Sequence, residues 1–378
     1  MKRKMTQAIP SKIRFITGVL MVVSTTAYAL PSVDKTVKIG NSVYEIAYNP
    51  KFDEIYVATS GPVSKDGYRQ AGIVVVDART LEKKKTIDVG HDLPFGIALN
   101  VNTQKLYASD SISGVVAVYD VKTGMKLHSI RNPASHSPLR EIVIDARTNT
   151  IFASSVGGFQ HSKDKPAPQS TVWVIDGNTD TVKHTILDPV KSATGMVFDN
   201  KTRKLYVADF FKNEIAEIDP ATCNVVRTFP SSAVINGNPA WKEKADGPDT
   251  INLAFDSDKG RIFAVNQASG NVSVISAKDG KLIKNINTGA GSLSAKYDSK
   301  TNKLYVANRG DGTVTIINGD TYRVEANLYT GTHPQSIAIN PSDGIVYVSN
   351  RAKGYAGNVT EGPLPYEPGG DTLTRIRP

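Results

Sequence analysis

The sequence lacks the features on which several classes of protein depend. It contains a single cysteine, Cys223, so no intramolecular disulfide can form and a cysteine-based zinc site is excluded. Neither H-x-x-x-H nor H-E-x-x-H occurs, and the G-x-S-x-G serine elbow and the P-loop motif are also absent. We therefore predict a fold stabilised by its packed core, with no metal, no cofactor and no catalytic residue that a motif identifies.

Long apolar runs are also missing, because no segment reaches the roughly 20 residues that a membrane-spanning helix needs. A shorter apolar run, residues 15–23, is followed by Ala27-Tyr28-Ala29. It is preceded by the basic residues Lys2, Arg3, Lys4, Lys12 and Arg14. This order is typical of a secretory signal peptide. We predict a signal peptide at 1–29, cleaved after Ala29, and an exported domain at 30–378 that does not insert into a membrane; the alternative is an uncleaved N-terminal anchor.

Excess positive charge is small once the signal peptide is set aside. The whole chain has 45 basic and 36 acidic residues, a formal net charge of +9. Without the five basic residues of the signal peptide, 40 remain against 36 acids, a net charge of +4. Attraction for a polyanion must therefore come from a local basic face.

One short strand pattern recurs seven times along the chain. Each copy has an aliphatic residue, an aromatic residue and then two small or aliphatic residues, and successive copies lie 42 to 57 residues apart, as propeller blades do. The copies are 55–58, 106–109, 151–154, 205–208, 262–265, 304–307 and 346–349.

The longer unit around each copy predicts a sheet of four antiparallel strands. Its runs are rich in β-branched and aromatic residues and are separated by turn formers such as Asn318-Gly319-Asp320. One such sheet cannot bury both of its faces, so the copies must stack radially. In the sixth unit the predicted strands are 293–297, 304–307, 313–317 and 324–329.

The seventh unit has only three predicted strands, 336–339, 346–349 and 371–376. Residues 35–40, after the predicted signal peptide, resemble the fourth strands of other units, such as 85–90. We therefore predict an all-β, seven-bladed β-propeller with four antiparallel strands per blade, in which the N-terminal strand completes the last blade and removes the exposed edges.

Repeated motifs resemble those of YVTN-type propellers. They include LYVAN at 304–308, VID at 174–176 and HPQSIAIN at 333–340, and the chain is most similar to the YncE family of bacterial periplasmic propellers. The resemblance implies a periplasmic protein, an association with single-stranded DNA and no established catalytic activity. It supplies no DNA contact set residue by residue, because the shared positions are mostly core and turn residues.

Loop lengths predict which end of the propeller binds a ligand. Turns from the first to the second strand of each unit are short and polar, whereas four long insertions fall at the opposite end. Because loops lengthen where function requires it, we assign the ligand face to that end, around the mouth of the central channel. The alternative is that insertions have accumulated at this end only because they do the least harm there. The insertions are 61–71, 156–170, 231–250 and 351–370.

Cations and aromatic residues alternate on this face, as single-stranded nucleic acid requires. Acidic residues dilute the pattern, so each cation has a solvated surface charge as its alternative. Residues at the starts of the first strands are expected to ring the channel. The predicted ligand-binding residues are Tyr44, Phe95, Arg140, Lys212, Trp241, Asn252, Arg309 and His333.

Three other interpretations stay open. A salt bridge from Arg140 to Glu45 or Glu141 would give those charges a structural role. Alternatively, the same residues and His333 could serve a lactonase-like or lyase-like enzyme, although no spacing selects this chemistry. A scaffold for envelope proteins is the third function considered. We expect a monomer whose partner is single-stranded DNA or an envelope protein.

Overall fold

The computed structural model describes six stretches of the chain. In them it has 28 strands arranged as seven four-stranded antiparallel sheets, which confirms the predicted seven-bladed propeller. No helix in these stretches is long and apolar enough to cross a membrane. The described residues are 30–61, 71–135, 137–158, 167–232, 249–353 and 367–378.

Strand β1 (Ser32–Lys38) belongs to the last blade, and the following strands form the blades in order. Blade one has β2 (Val43–Asn49), β3 (Glu54–Thr59), β4 (Gly72–Asp77) and β5 (Lys83–Asp88). Blade two has β6 (Pro94–Asn100), β7 (Lys105–Asp110), β8 (Val115–Asp120) and β9 (Lys126–Arg131). Blade three has β10 (Leu139–Asp145), β11 (Thr150–Ser155), β12 (Thr171–Asp176) and β13 (Thr181–Leu187).

The other four blades repeat this plan. Blade four has β14 (Ala193–Asp199), β15 (Lys204–Asp209), β16 (Glu214–Asp219) and β17 (Asn224–Pro230). Blade five has β18 (Thr250–Asp256), β19 (Arg261–Asn266), β20 (Asn271–Ser276) and β21 (Leu282–Asn287). Blade six has β22 (Ser292–Asp298), β23 (Lys303–Asn308), β24 (Thr313–Asn318) and β25 (Val324–Tyr329). Blade seven has β26 (Pro334–Ile339), β27 (Val346–Asn350) and β28 (Thr372–Arg377), with β1 as its fourth strand.

The core lies between neighbouring blades, and the recurring aromatic residue explains why the blades stack. Tyr56 of β3, for example, is fully buried and belongs to one apolar cluster with Ile97 and Leu106 of blade two. Second and third strands are almost wholly buried because both of their faces are covered, whereas the fourth strands at the circumference are mostly exposed. The first strand of each blade packs against the first strands on both sides, which closes a ring around the axis.

Strand β1 closes the ring as predicted. It pairs antiparallel with β28, from Ser32 opposite Arg377 to Lys38 opposite Thr372. The Asp34 carboxylate lies between two arginines of β28: Arg375 Nε donates to it at 2.6 Å, and Arg377 Nε lies 3.2 Å from its other oxygen. The last blade is therefore held by the two ends of the described propeller.

The two ends of the blades differ in construction. At the end of every first strand an Asn or Asp side chain accepts a hydrogen bond from the backbone N–H two residues later, at 3.0 to 3.1 Å. These Asx turns keep that end short and uniform. The insertions lie at the opposite end, and most of their residues are outside the described ones.

Bulges mark the start of every first strand, at the end where the insertions lie. In all seven blades the register between first and second strands shifts there, as between Val43 and Ile46 in β2. A bulge releases residues from the ladder and re-aims their side chains. The released residues include 44–45, 95–96 and 140–141, which the sequence placed at the channel.

Candidate functional site

A cavity of about 320 Å³ opens where the bulged starts of the first strands meet. Four predicted ligand residues, Tyr44, Phe95, Arg140 and Asn252, line it together. Strands from six of the seven blades contribute to this lining, so the cavity lies on the propeller axis. Its other polar side chains include Glu45, Glu141, Ser294, Gln335 and Ser336.

An aromatic pair with a cation beside it forms one side of the cavity mouth. The rings of Tyr44 and Phe95 meet edge to face with centroids 4.4 Å apart. The guanidinium of Arg351 lies 4.5 Å from the centroid of the Tyr44 ring, within cation–π range, and its Nε donates to Ser42 Oγ at 3.3 Å. Base-sized aromatic surface and positive charge are therefore adjacent.

Three arginines concentrate positive charge at the same mouth. Burial lowers the pKa of Arg309, and the nearby charges of Arg351 and Arg140 lower it further. The pKa of His333 is also lowered, first by burial and then by the charges of Arg309 and Lys353. Since like charges repel, this group is stabilised when an anion binds among them.

Two glutamates, Glu45 and Glu141, line the same cavity. Glu45 Oε2 accepts a hydrogen bond from the backbone N–H of Ile97 at 3.0 Å. A side chain at Gly96 would meet Arg140 O at 2.1 Å and Glu45 Oε2 at 3.0 Å, so glycine leaves the space that Glu45 uses. Burial raises the pKa of Glu45 well above its usual range, and the charge of Glu141 raises it further.

Arg140 does not pair with either glutamate. No ion pair within 4 Å joins it to Glu45 or Glu141 in the described part of the chain, so the salt-bridge alternative is wrong. The reason is the bulge, which takes residues 140 and 141 out of the β10–β11 ladder. Burial lowers the pKa of Arg140 and raises that of Glu141, while their attraction at longer range acts in the opposite direction.

The remaining predicted residues have different positions. Arg309 and His333 lie near the mouth. The charge of Arg140, which lines the cavity, acts on Arg309, and the charge of Arg309 acts on His333. Lys212 is exposed on the turn between β15 and β16 and does not line the cavity. Trp241 lies outside the described residues. The ligand-binding role of all eight stays a prediction.

Sequence reasoning missed one channel residue, Lys296 of β22. It is exposed, yet its charge acts on both Glu45 and Glu141 and lowers the pKa of each. A signal was available, because the aligned position in the other first strands is always Ala or Val. Those residues are Ala47, Ala98, Val143, Val197, Ala254 and Ala338.

The site has the chemistry of ion binding. A guanidinium group, two carboxyl groups, and amide and hydroxyl groups line one cavity. In the described part of the chain no three or more His, Cys, Asp or Glu side chains are grouped to hold a metal ion. Carboxyl groups with raised pKa can also exchange protons with a ligand.

Comparison with known proteins agrees with the fold. The chain is 31% identical to the protein named uncharacterized protein YncE of Salmonella typhi over 259 residues, which are 66% of this chain and 65% of that protein. It is 28% identical to the protein of the same name from Escherichia coli strain K12 over 282 residues, 71% of each chain. No family model matches the sequence. The match to the Salmonella protein spans slightly less than two thirds of that protein's length. This chain is therefore a seven-bladed β-propeller homologous to the YncE proteins.

Proposed function

We propose that the protein is exported to the periplasm and binds single-stranded DNA at the channel mouth without catalysing a reaction. One observation carries this proposal, the grouping of three arginines beside an aromatic pair. The charges of Arg140 and Arg351 both act on Arg309. The Arg351 guanidinium lies over the Tyr44 ring, which meets the Phe95 ring edge to face. Single-stranded DNA offers phosphates for the guanidinium groups and bases for the rings. The YncE resemblance supports the same ligand.

Binding through these arginines should depend steeply on salt. Each phosphate that a cation neutralises on single-stranded DNA adds about −0.7 to the slope of log affinity against log salt concentration. Three arginines therefore give a slope of about −2. Fluorescence anisotropy with a labelled oligothymidine measures the slope on the mature protein.

Arg309→Gln is expected to weaken oligothymidine binding about 5- to 10-fold at low salt and to reduce the magnitude of the slope by about 0.7. Lys201→Gln is the matched control, because Lys201 is an exposed cation on a turn at the opposite end and pairs with an equally exposed Asp258. The proposal fails if the protein shows no binding at low salt, or if both variants lose affinity equally.

Export is tested by the mass of the mature protein. Cleavage after Ala29 leaves Leu30 as the first residue. We expect the protein recovered from the periplasm of a Gram-negative host to have the mass of residues 30–378. The full-length mass, or recovery with the membrane fraction, would support the uncleaved anchor instead.

Acid–base catalysis is the second candidate function, and the partly buried Glu45 together with the buried Glu141 favours it. A carboxyl group whose pKa is raised can donate a proton near neutral pH. Turnover of a lactone that Glu141→Gln abolishes would establish this function. If both assays are silent and affinity capture yields a specific envelope partner, the scaffold interpretation replaces them.

A further inference from the structure

Three polar atoms in the cavity lack hydrogen-bond partners. Arg140 Nε, Ser294 Oγ and Gln335 Oε1 are buried, and none has a partner in the part of the chain that the structure describes. Ser294 is only 7% exposed, and all three residues line the cavity. Leaving buried polar groups unsatisfied is costly, so the cavity is built to hold a polar molecule.

Charges of both signs face the same space without meeting. Arg140 forms no ion pair with Glu45 or Glu141, and no hydrogen bond to the Glu141 carboxyl group is present among the described residues. Glu45 has one, from the Ile97 N–H. Among the described residues, a guanidinium without an ion-pair partner therefore shares one cavity with two carboxyl groups, of which Glu45 has a single donor and Glu141 has none.

We propose that the cavity binds a free amino acid, whose carboxylate pairs with Arg140 and whose ammonium group is held by Glu45 and Glu141. Ser294 and Gln335 complete the polar contacts. The guanidinium can donate two parallel hydrogen bonds to the carboxylate. The carboxyl groups, which share the far side of the ligand, accept from the three N–H groups of the ammonium.

Ligands of a single charge fit less well. A simple anion satisfies Arg140 but is repelled by the glutamates, and a simple cation leaves Arg140 unpaired. A zwitterion pairs both signs and brings no net charge into a buried space. The volume of about 320 Å³ is at the lower end for ligand pockets, which fits an amino acid and excludes a folded peptide.

The amino-acid site shares Arg140 with the proposed DNA site, but the two are tested separately. It also uses Glu45, Glu141 and Ser294, which the proposed DNA site does not use. Amino-acid titration contains no DNA, and oligothymidine titration contains no amino acid. Failure of one binding experiment therefore leaves the other result intact.

The test is thermal unfolding of the mature protein with each standard amino acid at about 10 mM. We expect at least one to raise the Tm by about 2 °C or more. Its two analogues, one without the ammonium group and one without the carboxylate, are expected to give no shift; for alanine these are propionate and ethylamine. No shift with any amino acid, or an equal shift with either analogue, would overturn the proposal.

Variants test the assigned contacts by calorimetric titration with the amino acid that gives the largest shift. Glu141→Gln and Ser294→Ala remove an ammonium acceptor and a hydroxyl, and we expect Glu141→Gln to weaken binding about 10-fold or more. Lys201→Gln, at the opposite end of the propeller, is expected to bind as the unmodified protein does. Circular dichroism confirms that each variant is folded. Unchanged affinity in Glu141→Gln would contradict the proposed geometry.

Discussion

Deletion of residues 30–38 is expected to lower the free energy of unfolding by about 3 kcal/mol or more. The deletion removes β1, and with it the whole β1–β28 ladder and the packing of Val37 on the core cluster that joins blades seven and one. It also removes a bond across the seam, since Lys35 Nζ donates to Thr80 O of blade one at 2.8 Å. Each ladder hydrogen bond contributes about 1 kcal/mol, so the sum is large.

Urea denaturation followed by far-UV circular dichroism measures this loss, and light scattering is expected to show association through the exposed edge of β28. An unchanged denaturation midpoint would mean that β1 does not stabilise the ring. The graded variant Asp34→Asn keeps the strand and removes only its ion pairs with Arg375 and Arg377, so a loss of about 1 kcal/mol is expected at neutral pH.

The pH dependence of the free energy of unfolding separates the effect of Asp34→Asn from the effect of the strand deletion. Arg377 and Arg375 hold the pKa of Asp34 below its usual value, so the stabilisation from this carboxylate is present above its unfolded pKa. It is lost as the pH falls through the lower pKa of the folded state. The difference between Asp34→Asn and the unmodified protein should therefore vanish in strong acid, whereas the effect of the strand deletion should persist.

The seven repeats and the closure of the last blade by β1 show why the fold could be predicted from the sequence. The aromatic position of each second strand recurs because every blade must fill the same space against its neighbour, as Tyr56 does against Leu106. Turn residues recur because every blade needs the same turns between its strands, so seven imperfect copies predict one fold. The missing fourth strand of the last unit and residues 35–40 then complement each other, and pairing of β1 with β28 confirms this prediction.

The site was less predictable because its geometry depends on bulges of a single extra residue at the starts of the first strands. The sequence placed Arg140 and Glu141 at the channel, but the bulge that takes them out of the ladder leaves no mark in the hydrophobic pattern. Whether such charges meet is decided by side-chain direction, which alignment of repeats does not report. Lys296 is the opposite case, since comparison of aligned positions would have revealed it.

Glu45→Gln is expected to raise the free energy of unfolding at pH 8 by about 1 to 3 kcal/mol. Burial and the neighbouring Glu141 raise the pKa of Glu45, and Lys296 and Arg140 offset only part of this. The charged carboxylate is therefore destabilising in the folded protein. Glutamine has nearly the same shape and still accepts the hydrogen bond from Ile97.

The size of this effect should depend strongly on pH. Below its usual pKa of 4.5 the carboxyl group is protonated in both folded and unfolded states, so glutamine and glutamic acid should be equivalent there. As the pH rises through the unfolded pKa towards the higher folded pKa, the unmodified protein loses stability and the variant does not. Urea denaturation at pH 4, 6 and 8 follows the widening gap.

Glu217→Gln provides a matched control of opposite sign. Glu217 is buried, and Arg227 Nε donates to its carboxylate at 2.8 Å. Removing the Glu217 charge takes away the ion-pair partner of Arg227 and should lower stability at pH 8. Carboxyl groups whose pKa is raised by burial cluster at functional sites, so a gain in stability on removing the Glu45 charge would favour a functional role for it. If Glu45→Gln instead destabilises the protein as Glu217→Gln does, Glu45 belongs to the fold, and the amino-acid site loses one of its two ammonium acceptors.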